Sequence, residues 1–231
     1  MTKKIFYTAV GRLERKCDAN RQSYPAIILG SKNYQVDLQE MIIWTALNWR
    51  IVKKEDIGIL YEQTVLHSGY ASPRPLNECV ERLLMRGLII SGCGSTDYDA
   101  LYDLLAALYI IPANSNLPLR FMSFLKLMFS NRIPFSSAKR LFRKDHRTIP
   151  EQQVMQLSCQ ALLSTAEIIK CVDKGIRYLP TEDSILLKLY DDQDTTSDNI
   201  ASIMKSCPSS KQVIAAIANL YLRQQIIFER I

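Results

Sequence analysis

The stretch from Asp37 to Ser95 constrains the fold most, because its pattern predicts three short helices, a strand and a turn in close succession. Asp37 with Glu40 three residues later predicts an N-terminal capping box. An apolar face at helical spacing predicts the first helix, and it comprises Leu38, Met41, Ile42, Thr45 and Trp49. The second predicted helix runs from Lys54 to His67.

Two prolines, Pro73 and Pro75, interrupt the chain before a third predicted helix, which begins near Leu76. Its inward positions are Leu76, Val80, Leu83 and Leu84. Gly87 follows where a left-handed residue commonly ends a helix. We expect a buried strand at 88–90 and a tight Gly-rich turn at 91–95.

This succession resembles a winged helix-turn-helix domain. The segment Val80–Ile89 carries the resemblance, since it is similar to a recognition helix that passes through an Arg-Gly corner into a wing strand. The resemblance implies that the third helix enters the major groove of DNA. The groove-facing polar residues would be Arg74, Asn77, Arg82 and Arg86. Glu78 and Glu81 oppose this role, because carboxylates repel phosphates unless they accept a hydrogen bond from cytosine.

The N-terminal segment predicts two strands, Ile5–Val10 and Ala26–Gly30. Between them lies a basic segment that fits either a long hairpin loop or a short helix from 13 to 19, and either a solvated loop or an arm on a phosphate backbone. After Ser95, Thr96 or Asp97 predicts the cap of a helix that ends at Pro112, so we expect a short or missing wing. The N-terminal strands would then complete its sheet.

The middle of the chain predicts a linker at 112–118 and two helices, at 119–131 and at 135–147. A long helix is expected from Pro150 to Lys174, with Thr148 as its cap and Gly175 at its end. Its wide apolar band predicts that this helix packs against the same helix of another molecule, and hence a homodimer.

From Pro180 the first pattern returns. Thr181, Ser197 and Pro208-Ser209 each open a predicted helix, and 226–228 reads as a closing strand. We interpret this as an internal repeat, and two apolar three-helix units also fit plain helical bundling. The predicted fold is mainly α with short β (α+β), with tandem winged-helix-like units joined by a helical middle segment. The predicted domains are 1–111, 112–179 and 180–231.

Charge is distributed unevenly along the 231 residues, whose net charge is +6. Basic residues dominate 1–54 and 120–147, whereas acidic residues dominate 55–119. The predicted helix at 135–147 carries five cations and a single acid, which fits either a solvated helix face or contact with a polyanion such as nucleic acid. These cations are Lys139, Arg140, Arg143, Lys144 and Arg147.

The motifs of catalysis and metal binding are absent from the sequence. The six cysteines form no C-x-x-C pair, and the two histidines belong to no ligand or nucleophile motif. No apolar stretch reaches the length of a membrane span. We therefore expect a cytoplasmic protein that is not an enzyme and has no cofactor, metal or membrane partner. Cys93 is predicted to be an exposed thiol without a redox role.

The leading functional hypothesis is a DNA-binding transcriptional regulator that acts on double-stranded DNA as a homodimer. In the second unit the residues expected to contact DNA are Ser209, Ser210, Lys211 and Gln212, with Asn219 further along the helix. The alternative is a non-catalytic protein–protein interaction or assembly module of tandem winged-helix fold. Its partner surface would be the acidic segment 97–103, which carries three aspartates and two tyrosines.

Overall fold

A computed structural model of the chain describes residues 3–17, 22–68, 74–113, 146–179, 181–191 and 194–230. The predicted helix at 119–131 lies outside these residues, as does most of the one at 135–147. The strands are β1 (Lys4–Ala9), β2 (Arg12–Cys17), β3 (Ser23–Leu29), β4 (Lys32–Gln35), β5 (Val52–Lys53), β6 (Ile89–Gly94), β7 (Tyr109–Pro112) and β8 (Ile226–Glu229). The helices are α1 (Leu38–Leu47), α2 (Lys54–Ser68), α3 (Leu76–Met85), α4 (Asp97–Leu105), α5 (Ile149–Gln160), α6 (Thr165–Asp173), α7 (Glu182–Leu189), α8 (Ile200–Met204) and α9 (Ser210–Leu222).

The described strands form three small antiparallel sheets, in the orders β5-β1-β6, β2-β3-β4 and β7-β8. The fold is thus α+β, as predicted. β1 pairs with β6 along its whole length, so the N-terminal strand does complete the sheet next to the third helix. The segment after β1 is neither loop nor helix, because residues 12–17 form β2 and pair with β3. The two predicted N-terminal strands therefore lie in different sheets.

The capping box of α1 is confirmed, with the Glu40 amide donating to Asp37 Oδ1 at 2.9 Å. Its predicted apolar face is wrong in part. Leu38 is exposed, whereas Ile43 and Trp44 are buried. The helix is covered on several sides by β1, α2 and α3, so a narrow stripe underestimates its buried surface. Trp49 lies beyond the helix, in a left-handed turn with φ of 55°.

The Gly-rich segment after α3 is an edge strand and not the predicted turn. β6 continues through Gly94, and α4 packs directly on its backbone. A Cβ at Gly92 would overlap the Leu104 amide nitrogen and the Ala100 carbonyl oxygen. Glycine is therefore needed here for close approach and not for a turn. α4 begins at the predicted Thr96 cap but ends at Leu105, well before Pro112.

The predicted long helix is two helices, α5 and α6. Ala161 adopts an extended conformation and ends α5, and Ser164 caps α6 in a capping box with Glu167. This Ser-x-x-Glu signature is visible in the sequence, but the continuous apolar band concealed it. The Thr148 cap and the Gly175 terminus are confirmed. The homodimer was predicted from a single long helix, and that helix is absent from the described residues. The homodimer therefore stays a prediction without this support.

Two parts of the chain share one arrangement. We call β1, α1, β5, α2, α3 and β6 the first copy, and β7, α5, the bridge at Ser164, α6, α9 and β8 the second copy. In the first copy Phe6 pairs with Lys53, and α2 begins at the next residue. In the second copy Tyr109 pairs with Ser164, and α6 again begins at the next residue.

The corner after the third helix is the same in both copies. The Gly87 amide donates to the Leu84 carbonyl and the Leu88 amide to the Leu83 carbonyl; at the end of α9, Gln224 donates to Tyr221 and Gln225 to Leu220. Gly87 and Gln224 are both left-handed, with φ of 69° and 59°. The corner after the predicted third helix recurs, but the second copy takes its first strand and its first two helices from residues 109–173 and not from the predicted unit 180–231.

A buried hydroxyl joins the two copies. Tyr221, on α9, accepts from the Trp49 amide at 2.9 Å and donates to the Ala9 carbonyl at 3.1 Å. The Thr8 hydroxyl also donates to it, at 2.9 Å. Burial raises the pKa of Tyr221 to about 12, so it stays a neutral donor. No helix within the described ranges combines the length and apolar character needed to cross a bilayer.

Candidate nucleic-acid interface

The three arginines predicted to face the groove from the first copy are turned toward the protein. Arg74 pairs with Asp37, and Arg82 Nε lies 3.2 Å from Glu40 Oε1. Arg86 binds Glu40 Oε2 at 3.0 Å and also donates to the Gln35 carbonyl at 2.5 Å. These contacts hold the start of α1 against α3. The three cations therefore stabilise the packing of these two helices.

The electrostatics at Asp37 fit this structural role. Burial alone would raise the pKa of Asp37, but the Glu40 amide and the Arg74 guanidinium outweigh it and hold the pKa below its ordinary value. Asp37 therefore stays ionised and keeps Arg74 engaged. Arg86 also lies over the Tyr34 ring, 5.7 Å from its centroid.

The outward face of α3 is acidic and partly apolar. Asn77, Glu78 and Glu81 are exposed, and neither glutamate makes an ion pair with a described residue. Met85 is 80% exposed, at the end of the same helix. Of the four groove-facing residues predicted in the first copy, only Asn77 is both exposed and uncommitted. This face is poorly suited to DNA.

The outward face of α9 has a different character. Its exposed positions fall on one stripe and carry no carboxylate; they are Lys211, Gln212, Ala215, Asn219 and Leu222. Lys211 lies over the Tyr98 ring of α4, 5.5 Å from its centroid. The stripe therefore offers one cation and two amide side chains around a small residue.

Two predicted contact residues at the start of α9 have structural roles. Ser210 is buried, and its hydroxyl lies 2.6 Å from the Tyr98 hydroxyl. Ser209 is the cap residue and donates to Asp173 at 3.4 Å. Ala215 was missed by the sequence analysis, because only the orientation of α9 identifies which of its small residues face outward.

Most of the predicted basic helix, including Lys139, Arg140, Arg143 and Lys144, lies outside the described residues. Arg147 is exposed and donates to the Gln225 side chain at 2.6 Å. Gln225 forms part of the corner that follows α9. Arg147 thus lies beside the corner that follows α9.

The acidic segment 97–103 is engaged within the protein. Asp97 pairs with Lys4 at 2.8 Å, and Asp99 pairs with Lys205 at 3.3 Å. Asp103 accepts from the amide of Cys93, whose side chain is exposed as expected. Its carboxylates thus attach α4 to elements on both sides.

Comparisons with known protein families, with curated proteins and with solved structures found no match for this chain.

Proposed function

We propose that this chain is a DNA-binding transcriptional regulator that reads duplex DNA with α9. The observation that carries the proposal is the carboxylate-free outward stripe of that helix. Asn and Gln side chains can bind adenine through two hydrogen bonds, and a small residue such as Ala215 permits close approach to a thymine methyl group. Lys211 is positioned to contact a phosphate.

The shared corner after α3 and α9 supports this reading. It is the feature of the winged-helix resemblance that occurs in both copies, with β1 and β7 in the place of the second wing strand. Charge supports it too, because residues 120–147 carry eight basic side chains and one acidic side chain. That segment would hold phosphates while α9 reads bases. Cytoplasmic location and a homodimer belong to the same proposal.

The test separates base reading from phosphate contact. A duplex selected from a random pool is compared with a scrambled duplex by fluorescence anisotropy at several salt concentrations. The double variant Gln212→Ala and Asn219→Ala should lose most discrimination between the duplexes, with each base contact worth about 1–3 kcal/mol. The matched variant Asn77→Ala, on α3, should leave discrimination unchanged.

A second variant tests the basic segment. Replacing Lys139, Arg140, Arg143 and Lys144 by Ala removes up to four phosphate contacts, each worth about 0.9 in the slope of log affinity against log salt. The slope should become shallower by roughly two to four, while discrimination is retained. Affinity and slope equal to those of the parent would remove this segment from the interface.

The interaction-module alternative is favoured by one observation, the exposed Glu78, Glu81 and Met85 on α3. Such a face suits a partner with apolar and basic groups. If the parent protein binds neither duplex at low salt, this alternative moves ahead of DNA binding.

A further inference from the structure

A groove with basic walls lies apart from α9, where three distant segments of the chain meet. The turn between β3 and β4 forms one wall, the end of α3 with Gly87 forms the second, and Arg230 forms the third. The cavity measures about 410 Å³. That volume lies within the usual range of small-molecule sites, about 300–1,000 Å³.

The charges of the groove are of one sign. Lys32, Arg86 and Arg230 line it, and none of the described lining residues is acidic. Arg86 is held by Glu40, but Lys32 and Arg230 are exposed and make no ion pair with a described residue. Two cations are therefore available to a ligand.

The neighbouring carboxylate is occupied elsewhere. Glu229 is buried, and its Oε1 accepts from the Gly30 amide at 2.7 Å and from the Arg230 amide at 3.4 Å. This contact ties β8 to the β3–β4 turn and fixes the backbone that carries Arg230. The groove is thus assembled by hydrogen bonds that do not use its free cations.

The remaining lining groups suit an organic phosphate. Ser31 and Tyr34 supply hydroxyl groups, while Leu29, Leu84 and Met85 supply apolar surface. An arginine fork and a lysine ammonium are the usual partners of phosphate oxygens. We propose that this groove binds a small phosphorylated molecule, with its phosphate between Lys32 and Arg230 and its organic part against the apolar wall.

Isothermal titration with inorganic pyrophosphate tests this site, with sodium sulfate titrated at matched ionic strength. Saturable binding of pyrophosphate is expected, and Lys32→Gln or Arg230→Gln should each weaken it about tenfold or more. Arg230→Lys should weaken it less, because the charge remains. Lys54→Gln removes the same charge from the exposed start of α2, outside the groove, and should leave pyrophosphate binding unchanged.

Thermal unfolding identifies any variant that fails to fold, and both substituted side chains are exposed. Absent binding, equal binding by all variants, or equal affinity for sulfate would overturn the proposal. So would variants at Lys32 and Arg230 that flatten the salt slope of DNA binding and leave pyrophosphate affinity intact, since these cations would then belong to the DNA footprint. The proposal stands whether or not α9 reads DNA.

Discussion

The third helices of the two copies, α3 and α9, end in the same corner but present different outward faces. Each is followed by an arginine that reaches back to a buried glutamate on the first helix of its copy, Arg86 to Glu40 and Arg223 to Glu151. Outward, α3 carries Glu78 and Glu81, whereas α9 carries no carboxylate. An arginine near such a corner is therefore weak evidence of DNA contact, because the fold itself uses it.

The closing strands of the two copies, β6 and β8, also differ. A substitution at this difference is expected to change the free energy of unfolding most. α4 covers Gly92 of β6, and Glu229 occupies the corresponding register position of β8. Gly92→Ala should destabilise the protein by about 3 kcal/mol, because a Cβ would overlap the backbone of α4. Urea unfolding measures the loss.

Gly58→Ala is the control for this variant. Gly58 lies in the helix α2 with only Leu76 within 4 Å of an added Cβ, so alanine should stabilise by about 0.5–1 kcal/mol. If Gly92→Ala is as stable as the parent, α4 does not press on β6 as closely as described.

The buried glutamates allow a direct comparison of the copies. Glu40 forms ion pairs with Arg82 and Arg86, whereas Glu151 forms one ion pair with a described residue, Arg223. Both side chains are almost fully buried, at 2% and 1% exposure. Removing one partner of a buried pair costs about 3–5 kcal/mol, although the exposed side of these arginines moderates the loss.

We therefore expect Glu40→Ala to lose about 3 kcal/mol and Glu151→Ala to lose less, in urea unfolding. Glu40→Gln keeps a hydrogen-bonding cap and should lie between Glu40→Ala and the parent. A larger loss for Glu151→Ala than for Glu40→Ala would contradict the idea that the first copy commits more charge to its fold.

Parts of this arrangement could be predicted from local sequence. Asp37 with Glu40 and Gly87 at a helix end are short-range signals, because they act through the backbone a few residues away. Pro208-Ser209 marks the start of α9 by sequence, although the Ser209 side chain makes no capping hydrogen bond. The third helix and closing strand of both copies followed from such signals. The break at Ala161 was missed, although Ser164 and Glu167 announce it.

What could not be predicted depends on contacts between distant residues. The corner arginines became candidates for DNA contact because nothing near them in sequence reveals Glu40 as their partner. The elements of the second copy could not be identified from sequence either, since its first strand, β7, is separated from α9 by about two fifths of the chain. The sequence predicts a turn at Gly92 because glycines cluster around it. The packing of α4 on its backbone, which is the reason for this glycine, is a tertiary contact that the local pattern does not show.

A substitution at the junction between the copies is expected to cause a smaller loss of stability. Tyr221 corresponds to Leu84 in the first copy, yet only Tyr221 carries a hydroxyl, which contacts Thr8, Trp49 and Ala9. Tyr221→Phe keeps the ring stacked on Phe228 but leaves the part-buried Trp49 amide without this acceptor. We expect a loss of about 2 kcal/mol in urea unfolding.

Tyr102→Phe is the control for this variant, because it also removes one tyrosine hydroxyl. Tyr102 donates one hydrogen bond, to the Ala201 carbonyl at 2.5 Å, so its loss should be near 1 kcal/mol. Equal losses for the two variants would mean that the Tyr221 hydroxyl does not hold the copies together.

The smallest expected effect concerns Asp99 of α4, whose carboxylate pairs with Lys205, the residue that follows α8. Hydrogen bonds from Thr96 and Ser95, with the Lys205 ammonium, lower the pKa of Asp99 from 3.8 to about 2. Because the folded pKa is depressed, the ionised carboxylate stabilises the protein above about pH 4, and this contribution is lost as pH falls toward 2. Asp99→Asn should therefore unfold at a slightly lower temperature than the parent at pH 6, and the two should converge near pH 2. Glu62→Gln, an exposed position on α2 with no ion pair to a described residue, should match the parent at pH 6. A difference for Asp99→Asn that persists unchanged at pH 2 would assign it to packing, and the carboxylate would then have no part in attaching α4 to the second half of the chain.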